Sequence, residues 1–284
     1  MTKTVVVTGA TGHVGGAVVA ALAAKGIQVR AATRVPGNYR GGSNITPVRF
    51  DYHEAATMAP ALLGADGLFL IALPLDFAAL KVLTPIVDQA KVAGIKQIVL
   101  HSALGVDQSE EAPLRKVERY LMASGIPYTI LRPNFFMDNF VSGSVAPMIN
   151  EGNGIFLPAG DSRTSFIAAS DIAAVAVAAF EQGLVGKEFN LTGPEPLDHH
   201  QVAAIINEAA GREISYQPQS EPDFLALLGK GGLPESAGQY LAMLYQLVRG
   251  GYMARVTGDV QQVTGRAPVR FAAFAAEHAA AWRK

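Results

Sequence analysis

Three consecutive valines, Val5, Val6 and Val7, run into Thr8-Gly9, and glycine then recurs at Gly12 and Gly15. A short β-branched run suits a strand buried on both faces, and the glycine stops it. Val14, Val18 and Leu22 follow at every fourth position, so the chain passes from strand through a tight turn into an amphipathic helix. Few folds accept that order. Glycines without a Cβ let the backbone approach a pyrophosphate, whose charge is met by free N–H groups and the positive end of the helix dipole. The spacing is G-x-x-G-x-x-G, a variant of the G-x-G-x-x-G dinucleotide fingerprint. Glycine is common here, 29 of 284 residues, so context decides: the triplet follows a valine run and opens a long helix.

The pattern then alternates. Strands are predicted at Ile27 to Thr33, Thr46 to Phe50, Gly67 to Ala72, Gln97 to His101 and Tyr128 to Leu131, with helices at Glu54 to Leu63, Phe77 to Val92 and Glu110 to Ser124. Strands alternating with helices at this spacing pair in parallel through right-handed crossovers, which gives an α/β, Rossmann-type doubly wound sheet. Beyond Pro133 the pattern loosens. Ser165 to Ala168 reads as a short strand, Asp171 to Phe180 as an alanine-rich buried helix and Glu188 to Leu191 as another strand. Helical pieces at His199 to Ala210, Pro222 to Leu228, Glu235 to Val248 and Val269 to Trp282, with a strand-like piece at Glu213 to Gln217, make a smaller, mainly helical lobe. The expected organisation is a nucleotide-binding domain over 1–150, to which 164–195 returns, and a substrate-binding lobe over 196–284.

A hydrophobic content of 50% is ample for a core, and a net charge of −1 gives no electrostatic argument for nucleic acid or membrane partners. Cysteine is absent, which excludes disulfides, thiolate zinc sites and a cysteine nucleophile. Met1-Thr-Lys-Thr runs straight into the first strand, so no signal peptide is expected, and no span of about 18 uncharged residues reads as a membrane helix. A cytoplasmic location is the default, and a homo-oligomer is compatible with the sequence.

The second strand ends Ala31-Ala-Thr-Arg34, where sites that prefer NAD place an acidic residue for the ribose hydroxyls. No Asp or Glu occurs before Asp51, whereas Lys3, Lys25, Arg30, Arg34, Arg40 and Arg49 fall in the first fifty positions. A 2′-phosphate adds charge that a carboxylate repels and a guanidinium fork binds, so NADP(H) is expected ahead of NAD(H), with Arg34 on the phosphate. Asp51 either accepts from the adenine amino group or caps the next helix.

Several stretches together resemble one family. TGATGHVGG at Thr8 to Gly16, SGIPYTILRPNFFMDNF at Ser124 to Phe140, the helix start Ser170-Asp-Ile-Ala173 and FNLTGPEPL at Phe189 to Leu197 are similar to the NmrA-like, atypical short-chain dehydrogenase/reductase group. The resemblance covers nearly the whole chain. It implies a Rossmann fold, NADP(H) binding and a C-terminal substrate lobe. It further implies Gly9, Thr11, Gly12, His13 and Val14 along the pyrophosphate, and Leu73-Pro74 and Ser102-Ala103 beside the ribose and nicotinamide. Asn134, Phe135 and Phe136 would border the reacting ring.

Short-chain dehydrogenases acting on alcohols use Tyr-x-x-x-Lys, in which the lysine lowers the tyrosine's pKa. None of the eight tyrosines has that lysine: Tyr120 leads to Ser124 and Tyr128 to Arg132. Relatives with a lysine or histidine eleven residues before the glycine of Gly-Ile-Pro-Tyr have their counterpart here in Leu114. Without an acid, the acceptable substrates narrow. Hydride delivered to a ketone leaves a strongly basic alkoxide, whereas a quinone becomes a phenolate-like anion of pKa about 10, which water can protonate. The expected function is therefore NADPH-dependent reduction of a small, flat aromatic acceptor: a quinone, a dye or a polycyclic natural-product intermediate. Phe135 would lie against the cofactor, and Asn134, Phe136, Met137, Phe140 and Tyr245, with Met243, are candidates for the substrate surface. Ser102 and Asn134 are the candidate catalytic groups. His199-His200 has no further ligand at metal spacing, so no metal is expected. A non-catalytic NADP(H) sensor that signals to a partner protein is the alternative.

Overall fold

Valine, isoleucine and leucine fill the centres of the strands because a parallel sheet buries both of its faces. In a computed structural model, which describes residues 3–283, this gives β1 (Thr4–Val7), α1 (His13–Ala24), β2 (Gln28–Thr33), β3 (Ile45–Arg49), α2 (Met58–Leu62), β4 (Gly67–Ile71), α3 (Ala79–Val92), β5 (Gln97–His101), α4 (Pro113–Ala123) and β6 (Tyr128–Pro133). The chain continues through α5 (Ala146–Asn150) and β7 (Gly154–Ile155), then α6 (Ala169–Gln182) and β8 (Lys187–Leu191). Seven strands form one parallel sheet in the order β3-β2-β1-β4-β5-β6-β8. The order reverses at β1 and β4, the switch point at which doubly wound sheets open a crevice.

The helices cover both sheet faces. α1 and α6 lie together on one, and Gly67 makes room there, because a Cβ on it would sit 2.8 Å from the Phe180 ring. Opposite, Met58, Leu62, Leu83, Ile86, Val117 and Leu121 pack on Leu68, Leu70, Ile98 and Leu100.

The rest of the chain carries α7 (His199–Ala210), β9 (Ser215–Tyr216), α8 (Glu221–Lys230), α9 (Glu235–Arg249), α10 (Asp259–Thr264) and α11 (Phe271–His278). Two compact units result. The first takes the chain up to Pro133 with Ala169–Leu191 and Gln262–Gly265; the second takes Asn134–Ala168, Thr192–Gln261 and the chain from Arg266 onward. Residues 134–150, read from sequence with the first domain, fall in the second unit. In that unit Phe140 meets Phe166 and Phe271 edge-on, and the buried Trp282 donates from Nε1 to the Phe140 carbonyl at 2.7 Å. β9 pairs in parallel with β7, and α7 begins with a reciprocal cap between Asp198 and Gln201.

Three local expectations need correction. Ser165 to Ala168 is not a strand: only isolated bridges form, Thr164 with Leu197 and Ile167 with Phe136. The helix expected over Glu54 to Leu63 is a 3-10 turn, Ala55–Thr57, followed by the short α2, because the Thr57 hydroxyl donates back to the Glu54 carbonyl at 2.7 Å. α5 and β7, of five and two residues, are too short to leave a periodic signal.

Candidate functional site

Within the first unit, the carboxyl ends of the parallel strands gather the predicted nucleotide residues on one edge of the sheet. Thr8 fixes the end of β1: its hydroxyl donates to the Phe69 carbonyl at 3.1 Å and accepts from the Ile71 N–H at 3.0 Å. Gly9 then turns with φ +61, a conformation that L side chains rarely adopt. A Cβ on Gly15 would lie 2.1 Å from the Gly9 carbonyl oxygen, so only glycine lets α1 start against this turn. Gly12 is extended, its N–H bonds Gly9 at 2.9 Å, and no side chain caps the helix. The first turn of α1 contains no acidic residue, Thr11 and Gly12 are exposed, His13 is half-buried and Val14 anchors the turn in the core. Open N–H groups, the positive helix end and a surface free of side chains fit a dinucleotide pyrophosphate.

The six early basic residues separate by partner. Lys3 donates to the Phe180 carbonyl at 2.6 Å, Lys25 lies 3.8 Å from Glu181, Arg30 caps α2 through the Ala61 and Leu63 carbonyls, and Arg49 holds Glu54 at 2.7 Å. Arg34 and Arg40 are exposed and have no such partner among the described residues. Arg34 immediately follows β2, so its guanidinium is free to meet a phosphate there. Asp51 has one oxygen engaged: Oδ1 accepts from the His53 N–H at 2.9 Å, an Asx turn.

Leu73 and the exposed Pro74 follow β4, and Leu75 beyond them has φ +56. Sequence reasoning missed Tyr52, whose hydroxyl donates to the Ile71 carbonyl at 2.8 Å beneath the glycine turn. Burial pushes its pKa up to about 12.

Ser102, after β5, is not poised to meet a substrate. It is 1% exposed, and its hydroxyl donates to Glu118 at 2.6 Å. Glu118 lies fully buried on α4, where burial alone would raise its pKa; hydrogen bonds from Arg132, Ser102 and Arg115 outweigh that and hold the carboxyl below its ordinary value. Arg132 makes two of those bonds at 2.8 Å and a third to Glu188 at 2.5 Å. This is a structural ion-pair network. Neighbouring His101 is kept neutral at neutral pH, burial having lowered its pKa to about 4. Leu114 packs against the core, and Lys116 reaches Glu111 at 2.6 Å.

Within the second unit Asn134 is a clamp, which removes it from the catalytic candidates. At 3% exposure its amide donates to the Ser165 hydroxyl and the Met253 carbonyl, both at 2.8 Å, and its oxygen accepts from the Phe135 N–H at 2.9 Å. Met137 and Phe140, expected on the substrate surface, are buried, Phe140 in an aromatic cluster with Phe166, Phe271 and His199. Phe135 and Phe136 are half-buried. Phe135 lies 5.7 Å from Tyr245 on α9, whereas Met243 on the same helix is exposed. His199 is buried, and His200 faces Asp161 at 3.7 Å.

A model described as the NmrA-like family matches residues 1–264. The chain belongs to the NmrA-like family. Among the curated relatives, prestalk A differentiation protein A of Dictyostelium discoideum is 32% identical over 96% of this chain and 91% of its own. NAD(P)H azoreductase of Xenophilus azovorans is 31% identical over 98% and 99%. The crystal structure of an NADPH-dependent quinone oxidoreductase from Escherichia coli, in complex with NADPH, superposes with a TM-score of 0.83 at 28% identity, covering 96% of this chain and 98% of that one. No helix among the described residues of this NmrA-like chain is long and apolar enough to cross a membrane.

Proposed function

We propose that the chain is an NADPH-dependent oxidoreductase that reduces flat, conjugated aromatic acceptors, quinones and dyes among them. The observation that carries this reading is the side-chain-free cradle formed by Gly9, Gly12 and Gly15, with the unpaired Arg34 at the end of the adjacent strand. The azoreductase and quinone reductase relatives support the reaction class. The turn and the N-terminus of α1 hold the pyrophosphate, and Arg34 takes the 2′-phosphate through charge-assisted hydrogen bonds. When bound, the reduced nicotinamide supplies a hydride.

The residues contribute orientation and an apolar surface in place of an acid. Ser102 has already spent its proton on Glu118, Asn134 is held on four sides, and Leu114 is apolar. An acceptor whose reduced form is a weakly basic anion, or a cation that becomes neutral, needs no stronger donor than water. Purified protein mixed with NADPH and a panel of naphthoquinones and azo or triphenylmethane dyes is expected to consume NADPH with repeated turnover. Tight NADPH binding with no consumption across the panel would replace this reading by that of an NADP(H) sensor.

A further inference from the structure

Buried tyrosines ordinarily satisfy their hydroxyls, and two in this chain do. Tyr52 donates to the Ile71 carbonyl at 2.8 Å. Tyr216 donates to the Leu157 carbonyl at 2.9 Å and accepts from the Ala159 N–H at 3.2 Å. Tyr245 differs. It belongs to the buried stripe of α9 with Gly238, Ala242 and Val248, yet its hydroxyl has no hydrogen-bond partner among the described residues. Nor is that oxygen sealed off from solvent. The residue as a whole is 7% exposed, so the opening is confined to a small part of it.

The neighbours of the Tyr245 ring are aromatic. Phe224 meets the Tyr245 ring edge-on at 5.6 Å, and Phe135 lies against it at 5.7 Å with a 41° tilt. Phe135 is held from both sides: its N–H bonds the Asn134 oxygen at 2.9 Å, and its carbonyl accepts from the Ile167 N–H at 2.9 Å. A half-buried flat ring on a clamped backbone and one unsatisfied phenol beside it make a recognition surface for a planar molecule with an acceptor atom on its rim. Because no protein group engages this donor and solvent reaches it, a ligand oxygen can take the place of water there without breaking any hydrogen bond within the protein.

We propose that the Tyr245 hydroxyl is the hydrogen-bond donor that recognises the carbonyl or reduced oxygen of a quinone-type acceptor stacked on Phe135. This rests on the reductase reading and specifies its substrate class. The acceptor gains one hydride, a hydrogen with its bonding electron pair, from NADPH, which is oxidised by two electrons to NADP. The negative charge left on the acceptor oxygen lies against the Tyr245 O–H until water supplies the proton. Tyr245 donates a hydrogen bond and keeps its own proton. Burial raises its pKa above the ordinary tyrosine value, and nearby Tyr216 adds to the effect, so the O–H persists throughout the working pH range.

The test is Tyr245→Phe, which keeps the ring and removes only the oxygen. Two acceptors are compared: a naphthoquinone and a triphenylmethyl cation, whose hydride-accepting carbon bears no oxygen. The variant is expected to lose about tenfold in kcat/KM on the naphthoquinone and to stay within about twofold of wild type on the cation. Equal losses on both acceptors, or no loss on the naphthoquinone, would overturn the proposal. A binding measurement separates this from failure of the reductase reading. With saturating NADP, affinity for the anionic 2-hydroxynaphthoquinone is expected to fall about tenfold in Tyr245→Phe whether or not the enzyme turns over. Unchanged affinity, with the variant's melting temperature and NADPH binding intact, would equally overturn it.

Discussion

The glycine turn of the first unit and the aromatic surface of the second are each candidate binding regions, but they are specified in different ways. The turn is made of backbone. Gly9, Gly12 and Gly15 act by what they lack, and the geometry follows from three positions spread over seven residues. The aromatic surface is made of side chains from distant segments: Phe224 and Tyr245 come from α8 and α9, and Asn134, bound to Ser165 and Met253, holds the backbone of Phe135 beside Tyr245. A region of the first kind tolerates almost no substitution at its few glycines. One of the second kind can be retuned residue by residue, and that is where members of a family with different acceptors have room to diverge.

The contrast is sharpest at Gly15. Gly15→Ala improves helix propensity but drives a methyl group to 2.1 Å from the Gly9 carbonyl oxygen, so the turn must open. NADPH affinity is expected to drop about a hundredfold or more, roughly 3 kcal/mol, and the melting temperature to fall as well, since overpacking against backbone costs about 1–3 kcal/mol. Calorimetric titration checks it, and affinity within about threefold of wild type would mean that the turn is not the pyrophosphate site.

Arg34→Ala is a smaller perturbation that asks which nucleotide the region reads. Loss of a charge-assisted phosphate contact is expected to weaken NADPH binding about thirtyfold, roughly 2 kcal/mol, with NADH binding nearly unchanged. Parallel losses for the two nucleotides would show that Arg34 does not read the 2′-phosphate. Arg40, the other unpaired arginine of the first fifty residues, would then be the next to replace.

The second unit carries a pH signature of its own. His199 sits among Phe140, Phe166 and Tyr216, and burial lowers its pKa from 6.5 to about 4, Asp198 opposing and His200 assisting. A histidine held neutral in the native state stabilises fully above its unfolded pKa, and that stability is lost as pH falls from about 6.5 towards 4, because the unfolded chain binds the proton first. Buried His101 of the first unit, its pKa likewise lowered to about 4, adds a similar decline, so denaturant unfolding should show about 2–4 kcal/mol lost between about pH 8 and pH 5, reduced by about half in His199→Phe. An unaltered slope in the variant would assign the decline to other groups.

The chain order explains what could be read in advance. The strands of the parallel sheet, the glycine turn and the exclusion of a Tyr-x-x-x-Lys acid are local patterns, each complete within a few residues. Ser102 and Asn134 show the limit. A polar residue at the end of a strand reads as reactive until its partners are known: Glu118 for one, Ser165 and Met253 for the other. Among six basic residues, only folding showed that Lys3, Lys25, Arg30 and Arg49 are occupied and Arg34 is not. Met137 and Phe140 have the same composition signal as Phe135, and packing alone put them in the core.

By itself the sequence determined the strands of the parallel sheet and the glycine turn, since hydrophobic period and missing Cβ atoms act over a few neighbouring positions. The tertiary structure decided which polar groups remain available for chemistry. A hydroxyl, an amide or a guanidinium is free or spent according to partners that lie from five to more than a hundred residues away, and buried polar groups must find them.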